Sequence, residues 1–254
     1  MIESNRTQQQ KQFKILLVGD NCTDVYQYGT IDRLSPEAPV PVFVPTYKEE
    51  RDGMAGNVYN NLVALGCEVT YLFGETSTKT RLIDARSRQQ IVRIDNDIIS
   101  DTIVIDTDEF AKEYDAVVVS DYNKGSVSYE LIEELINLSI PIFIDTKKTD
   151  LARFQGAWVK INELEYSRIK SEPSGLIVTR GAKGASVIHH GIECLAPQVE
   201  VVDVTGAGDT FLSALAYQYV NTRSIEQAVE FAVKASAATV EHLGVYAPTL
   251  QEIK

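Results

Sequence analysis

The stretch FKILLVGD, residues 13–20, is a continuous apolar run that ends in Gly-Asp. A run of this kind, without polar alternation and closed by a turn, is typical of a strand buried on both faces of a parallel sheet. Ligands of open α/β sheets bind beyond the carboxyl ends of such strands. The sequence therefore predicts that Asp20 lies at the ligand-binding edge of a sheet.

Strand-like and helix-like segments alternate along the rest of the chain. Residues 57–65 have helical spacing, Gly66 ends this helix, and residues 68–73 form the next strand. The later segments are strands at 116–122, 140–146, 158–162 and 175–181 and helices at 128–138, 210–220 and 224–243. This alternation predicts an α/β fold with a mostly parallel sheet flanked by helices and joined by right-handed crossovers.

The segment VPVFVPTY, residues 40–47, carries two prolines, which confine it to an edge strand or a flap. We expect a small β-flap, or lid, at about residues 25–50. Residues 40–44 have no evident partner in their own sheet, and an exposed apolar edge needs cover. A homodimer formed through the flap is therefore expected. The remaining domain limits are a flexible tail over residues 1–12 and one folded domain over residues 13–254.

Composition restricts the partners and the compartment. A chain of 254 residues that is 44% hydrophobic suits one globular domain with a substantial core. Its net charge of −12 repels nucleic acid and anionic membranes, so neither is expected as a partner. The three cysteines lack disulfide or metal spacing, and the polar start contains no export signal. Both observations favour a cytoplasmic protein.

Polar side chains recur directly after the predicted strands, as Asp20, Asp121, Asp145 and Asn162. Turns favour Asp and Asn, so a turn explains any one of them alone. Four at one edge of the same sheet indicate a ligand site, because the carboxyl ends of parallel strands meet there.

The segment DVTGAGDTF, residues 203–211, places two glycines around one alanine at the predicted start of a helix. One interpretation is a tight turn with Asp209 as the helix cap. The other is an anion hole, in which the backbone N–H groups of Gly206, Ala207 and Gly208 and the positive helix end hold a phosphoryl group. Asp209 would then accept the proton of an attacking hydroxyl. Spacing alone leaves both interpretations open.

Other binding patterns are absent from the sequence. It has neither a GxxxxGK(S/T) loop nor a GxGxxG motif that opens a helix. His189, His190 and His242 lack metal-ligand spacing, which favours surface positions. Residues 181–184, Gly-Ala-Lys-Gly, predict a hairpin turn.

Four segments resemble the signatures of the ribokinase-like (PfkB) carbohydrate kinases. They are DVTGAGDTF, GMAGNVYNNLVALG at 53–66, NELE at 162–165 and VTRGAKGA at 178–185. Four more are similar to segments of the D-glycero-β-D-manno-heptose-7-phosphate kinases: RLSPEAPVPV at 33–42, TKTRLIDARSRQQIVRID at 78–95, SDYNKG at 120–125 and IDTKKTDLARFQGA at 144–157. The resemblance extends over most of the chain and implies a ribokinase-like kinase domain.

The resemblance also implies a reaction, in which ATP phosphorylates the anomeric hydroxyl of a heptose 7-phosphate. It implies Asp209 as the base and Gly206, Ala207 and Gly208 as the anion hole. The residues implied for the sugar and its phosphate are Asp20, Arg33, Gly53, Asn57, Asp121 and Lys124. Those implied for ATP and Mg²⁺ are Lys147, Asn162, Glu165, Thr179, Gly181 and Gly184, with Glu165 serving Mg²⁺ directly or through water. A monovalent cation such as K⁺ is a further expected cofactor.

The chain also departs from the family pattern. It is contracted after Glu75 and again between Asp95 and Ala116, and Met54 stands where the family usually has Gly. Since the chain stops at Lys254, we expect a separate protein to supply the nucleotidyltransferase step that some relatives carry out. The alternatives are a kinase for another sugar, sugar phosphate or nucleoside, or a member that binds such ligands without turnover.

Overall fold

The structure, a computed structural model, describes residues 12–105 and 113–253. In these ranges ten strands form one sheet in the order β10-β9-β8-β7-β6-β5-β1-β3-β4, and β2 pairs with β1. The strands are β1 Lys14–Leu34, β2 Pro41–Met54, β3 Glu68–Asp84, β4 Gln90–Asn96, β5 Ala116–Asp121, β6 Ile142–Thr146, β7 Trp158–Asn162, β8 Gly175–Thr179, β9 Ala185–Val187 and β10 Ile192–Cys194. The helices are α1 Ala55–Ala64, α2 Tyr129–Ile136, α3 Glu163–Tyr166, α4 Ala207–Thr222 and α5 Ile225–Val240.

The centre of the sheet is parallel and covered on both faces. Strands β3, β1, β5, β6, β7 and β8 pair in parallel, and β9 and β10 add an antiparallel edge. In β1, Ile15 and Leu17 pack into the core under α1, α4 and α5, whereas Leu16 and Val18 pack into the core under α2. All four side chains are fully buried. The predicted mostly parallel α/β sheet with two-sided strands is confirmed.

Beyond this central sheet, β1 and β3 continue into the lid. Residues 21–34 of β1 pair antiparallel with β2, and residues 78–83 of β3 pair antiparallel with β4. The lid therefore contains parts of four strands and extends beyond the predicted residues 25–50. The expectation that residues 40–44 lack a partner in their own sheet is wrong, because Phe43 and Val44 pair with Ile31 and Thr30. As the two prolines predicted, β2 lies at an edge and pairs only with β1 among the described strands.

Most predicted boundaries are close to those observed. Strand β7 has the predicted bounds, while α4 begins three residues earlier than predicted, at Ala207. The largest differences are β1 and β3, which were expected to end at Asp20 and Phe73. Their polar continuations stay extended because each finds a partner strand in the lid. The expected flexible tail lies almost wholly outside the described residues. No helix in the described ranges is long and apolar enough to cross a membrane.

Candidate active site

Asp20, at the end of the central part of β1, organises the loop that follows β5. Its carboxylate accepts hydrogen bonds from the backbone N–H groups of Tyr122, Lys124 and Ser126 at 2.7, 3.0 and 3.2 Å. Its side chain is almost fully buried. Both carboxylate oxygens already accept hydrogen bonds, so the structure gives Asp20 the function of positioning this loop. Its contact with a sugar stays a prediction.

Asp121, at the end of β5, is held in the same way. It accepts hydrogen bonds from Thr146 Oγ1 at 2.5 Å and from the backbone of Asn123 at 2.8 Å. Lys148 Nζ, also buried, lies 2.7 Å from Asp121 Oδ2 and forms an ion pair with it. Nothing in the sequence indicated this pair, because a lysine after a strand normally faces solvent.

Asp209 lies in the first turn of α4, and its carboxylate is oriented by two side chains. Asn57 Nδ2 donates to Asp209 Oδ2 at 2.7 Å, and the Tyr122 hydroxyl donates to Oδ1 at 3.2 Å. Burial raises the pKa of Asp209 to about 6, while the hydrogen bond from Asn57 opposes this rise. The residue at the helix N-cap is Gly206, so Asp209 does not occupy the cap position proposed by the simpler interpretation.

A buried polar network holds Asn57 in place. Asn61 Nδ2 donates to the Asn57 carbonyl at 2.8 Å, and Thr210 Oγ1 donates to Asn61 Oδ1 at 2.8 Å. Thr239 Oγ1 in turn donates to Thr210 Oγ1 at 2.9 Å. The network joins α1, α4 and α5, so the packing of three helices fixes the amide that points at Asp209.

The two glycines of the GAGD segment are needed for different reasons. Gly206 has a φ of 81°, and a Cβ there would lie 2.8 Å from Asn57 Nδ2. A Cβ on Gly208 would lie 2.9 Å from Lys160 Nζ. The backbone N–H groups in the first turn of a helix have no partner within the helix and carry its positive end. The Ala207 N–H donates to the Val204 carbonyl at 3.3 Å, whereas no hydrogen bond from the Gly206 or Gly208 N–H occurs within the described residues. The segment therefore presents the two glycine donors beside a buried lysine.

An apolar cavity of about 560 Å³ adjoins this helix terminus. It is lined by Thr179, Gly181 and Gly184, which were predicted to serve ATP, and by Ala207 and Gly208 of the predicted anion hole. The side chains that complete it are mostly apolar, the exceptions being Gln198 and Ser236: Ala182, Ala196, Pro197, Val199, Val201, Val204, Phe211, Val233, Ala237 and Val240. The structure thus brings part of each predicted set to one cavity, while Lys147, Asn162, Glu165 and Gly206 do not line it. The size of the cavity suits a small-molecule ligand.

Asn162 and Glu165 form a capping box at α3. The Asn162 side chain accepts from the Glu165 backbone at 2.9 Å, and Glu165 Oε2 accepts from the Asn162 backbone at 2.8 Å. Glu165 Oε1 accepts from Lys147 Nζ. Burial lowers the pKa of Lys147, but the Asp145 and Glu165 carboxylates outweigh this and raise it, so the side chain stays cationic. Both Glu165 oxygens have partners, which suits a contact with Mg²⁺ through water better than direct ligation.

Three of the predicted residues, Arg33, Lys124 and Gly53, do not line the cavity. Arg33 is thirteen positions after Asp20 along an extended strand that rises about 3.3 Å per residue, and the Arg33 side chain is exposed. Lys124 forms an ion pair with Asp97 at 2.6 Å. Gly53 lies in β2 of the lid opposite Cys22, and a Cβ there would lie 2.5 Å from Asp24 Oδ2.

Lys79 of the lid and Tyr122 lie beside the site, although neither was predicted to belong to it. Lys79 Nζ lies 6.0 Å from the centre of the Tyr122 ring, and Lys147 Nζ lies 5.4 Å from it. Arg81, two residues after Lys79, pairs with Asp24 at 2.5 Å. Alternation in the segment TKTR, residues 78–81, places Lys79 and Arg81 on the same face of β3. This alternation is the sequence feature from which a shared position of Lys79 and Arg81 could have been predicted.

Solved structures with the same architecture define the class of the fold. The chain superposes on a ribokinase from Thermotoga maritima with a TM-score of 0.71 at 18% identity, covering 95% of this chain and 98% of that one. It superposes on phosphofructokinase-2 from Escherichia coli, solved in complex with potassium, with a TM-score of 0.69 at 16% identity, covering 96% and 97%. At such identities the likeness establishes the fold alone, and that fold is ribokinase-like.

Sequence comparison establishes the family. Residues 162–252 match the model of the pfkB family carbohydrate kinases. The chain is 36% identical over 95% of its length to the bifunctional protein HldE of a Nitratiruptor species, and 32% identical over 96% of its length to that of Pasteurella multocida. It spans 64% and 63% of the lengths of those two proteins. The chain carries a pfkB family carbohydrate kinase domain.

Proposed function

We propose that the protein transfers the γ-phosphoryl group of ATP to the anomeric hydroxyl of D-glycero-β-D-manno-heptose 7-phosphate, giving the 1,7-bisphosphate. One observation carries the catalytic part of the proposal: the oriented Asp209 carboxylate lies at the terminus of α4, beside the 560 Å³ cavity. The similarity to the bifunctional HldE proteins and the heptose-kinase segments of the sequence support the choice of substrate.

In this mechanism Asp209 is the general base. A carboxyl group with a pKa near 6 is mostly ionised at neutral pH and is more basic than an ordinary aspartate. Hydrogen bonds from Asn57 and Tyr122 fix the orientation of its two oxygens. The sugar oxygen forms a bond to phosphorus, the bond to the β-phosphate oxygen breaks, and Asp209 takes the hydroxyl proton. The N–H groups of Gly206, Ala207 and Gly208 stabilise the charge of the phosphoryl group.

ATP is assigned to the cavity. Its apolar wall suits an adenine ring, and its lining includes Thr179, Gly181 and Gly184 as well as Ala207 and Gly208 of the helix terminus. Mg²⁺ commonly binds through substrate phosphates with few protein ligands. This fits a site where the described residues contain no cluster of three or more His, Cys, Asp or Glu side chains able to hold a metal. Lys147, Asn162 and Glu165 would position the metal-bound phosphates, and Mg²⁺ would neutralise their charge. K⁺ stays a prediction without assigned residues.

We assign the 7-phosphate of the sugar to the cations that face the site from the lid and from the loop after β5. Lys79 is the best placed, since it approaches the Tyr122 ring and forms no ion pair within the described residues. Arg81 and Lys124 are already paired with Asp24 and Asp97 and would share their charge with the ligand. Asp20, Gly53, Asn57 and Asp121 remain the proposed surroundings of the sugar hydroxyls.

We also propose that the protein forms a homodimer through its lid, in keeping with its exposed apolar side chains. Val44, Tyr47, Val92 and Ile94 in β2 and β4 are each 45% or more exposed. A second copy is the partner that would cover such a surface at both lids at once. Nucleic acid and membranes are not among the proposed partners, because of the net charge of −12. Three free cysteines accord with a cytoplasmic location.

An ADP-release assay with a panel of acceptors tests the proposal. We expect heptose 7-phosphate to give the highest kcat/KM and the same heptose without phosphate to be much poorer. A better result with ribose, fructose 6-phosphate or a nucleoside would overturn the choice of acceptor and leave the kinase assignment intact. No turnover with any acceptor, together with ATP binding by calorimetry, would favour a binding protein instead.

A further inference from the structure

The buried lysine at the centre of the site, Lys160, has an unusual environment. It lies on β7, its side chain is 6% exposed, and its Nζ is 2.6 Å from Asp145 Oδ2. This ammonium group donates no other hydrogen bond within the described residues, although it has three protons to donate. Asp145 Oδ1 is buried and accepts no hydrogen bond from the described part of the chain.

A buried ion pair with unmatched donors and acceptors is costly to maintain. Taking both charges out of water costs more than their attraction returns unless the remaining protons and lone pairs are satisfied. Replacing such a pair by apolar side chains is often neutral or stabilising. Stability is therefore a poor explanation for Lys160 and Asp145, and the unmatched groups point to a ligand that completes the site.

The position of Lys160 indicates which ligand this is. A Cβ on Gly208 would lie 2.9 Å from Lys160 Nζ, so the ammonium group stands directly beside the first turn of α4. Lys160 also lies close enough to Asp209 to lower its pKa, against the raising effect of Asp145. The ammonium group thus lies next to both the proposed general base and the backbone donors of the proposed anion hole.

We infer that Lys160 is a catalytic residue whose ammonium group contacts the phosphoryl group during its transfer, and that Asp145 is the positioning residue that holds it. This inference rests on the proposed phosphoryl transfer. Lys160 exchanges no proton: the bond from the sugar oxygen to phosphorus forms, the bond to the ADP oxygen breaks, and Asp209 receives the hydroxyl proton. Lys160 contributes a fixed positive charge to the phosphoryl oxygens, which are most exposed to it in the transition state.

The test compares Lys160→Met with Lys160→Arg and with the double variant Lys160→Met/Asp145→Asn, which leaves no unpaired buried charge. Lys170→Met, on the surface, is the matched control. We expect Lys160→Met and the double variant to lose about 10²–10³-fold in kcat, as for one lost oxyanion donor. KM for ATP should stay within a few-fold, Lys160→Arg should recover part of the rate, and Lys170→Met should match the wild type.

A binding measurement separates this inference from the proposed function. Calorimetry would compare ADP with ADP plus aluminium fluoride, which mimics the phosphoryl group in transfer. We expect the double variant to bind ADP normally and to lose most of the extra affinity that aluminium fluoride gives the wild type. An equal loss for both ligands, or a kcat within about threefold of wild type, would overturn the inference. The calorimetric comparison can be interpreted even if no sugar phosphate proves to be an acceptor. That outcome would overturn the proposed function alone.

Discussion

Asn57 Nδ2 donates a hydrogen bond to Asp209 Oδ2 at 2.7 Å and so joins two segments that are 152 residues apart. Asn57 is a buried residue in the first turn of α1, and Asp209 lies in the first turn of α4. Since an amide nitrogen can only donate, it leaves the carboxylate free to act as an acceptor. The pair therefore fixes the orientation of the proposed base without using its proton-accepting function.

Asp209→Asn is expected to abolish most turnover while the fold is kept. The new amide can accept from Asn57 through its oxygen and donate to the Tyr122 hydroxyl through its nitrogen. Loss of a general base typically costs about 10²–10⁴-fold in rate. We therefore expect kcat to fall at least about a hundredfold, with a near-normal melting temperature and ATP affinity. Turnover within a few-fold of wild type would show that Asp209 is not the base.

The pH dependence of the rate should report the same carboxyl group. With a pKa of about 6, Asp209 is protonated below this value and cannot accept the hydroxyl proton. We expect kcat/KM to rise with pH through about 6 and to level off above it. Initial rates in buffers of constant ionic strength would measure this. A profile that is flat down to about pH 4.5, near an ordinary carboxyl pKa, would contradict the role of burial.

The contribution of Asp209 to the free energy of unfolding should fall over the pH range in which kcat/KM rises. Because the pKa of Asp209 is higher in the folded protein than its ordinary value of 3.8, its contribution to stability is complete below 3.8 and is lost as pH rises through about 6. Asp209→Asn removes this loss. We expect urea denaturation to show that the variant gains stability relative to wild type between these two values, by up to about 3 kcal/mol. An unchanged difference in the free energy of unfolding across that range would disprove the shift.

The assignment of the sugar phosphate to the lid predicts a selective defect for Lys79→Met. A hydrogen bond to a charged group contributes about 1.5–3 kcal/mol, so KM for the sugar phosphate should rise about tenfold or more. KM for ATP should not change. Lys48→Met is the matched control, since Lys48 is another lid lysine and is paired with Glu50. Arg33→Ala separates the two candidates: a larger effect than that of Lys79→Met would return the phosphate site to Arg33.

The proposed dimer can be tested on its exposed apolar side chains. Val44→Asp and Ile94→Asp place charges at lid positions that are 51% and 54% exposed, so neither should disturb the folded monomer. We expect light scattering to give a dimer for wild type and a monomer for the double variant. Val63→Asp, on α1, is a control at a similarly exposed apolar position outside the lid. A wild-type protein that is monomeric at micromolar concentration would refute the dimer.

The parts of the fold that the sequence predicted well are those in which local pattern and burial agree. Strand β7 and the helices carry clear apolar periodicity, and the glycines of the GAGD segment mark a turn before α4. The lid portion of β3 was missed because residues 76–81, TSTKTR, are polar on both faces. Such a strand forms only because β1 provides a ladder of backbone partners, and pairing between distant segments is invisible in local composition.

The site was predicted from residue types, but its charge pairs were not. The segments GMAGNVYNNLVALG and DVTGAGDTF identified Asn57 and Asp209 as site residues. Tyr122 lies in the segment SDYNKG, residues 120–125, but the sequence assigned no function to it. The burial of Lys148 and Lys160 was not predicted, because a lysine is almost never buried unless it is paired. Their partners, Asp121 and Asp145, lie on other strands and cannot be recognised from the local sequence. In WVKIN, residues 158–162, the lysine looks like an ordinary exposed position of a strand.

Strand β1 runs without interruption for 21 residues, from the middle of the core to the tip of the lid, with a register shift against β3 between Gly19 and Asn21. The lid is therefore not a loop swinging on a flexible hinge. Moving it means twisting a continuous ladder of hydrogen bonds at one short irregularity, in both β1 and β3. The ease with which reactants enter and products leave then depends on the stiffness of the sheet itself, and a substitution deep in the core can alter the speed of release without touching the chemistry.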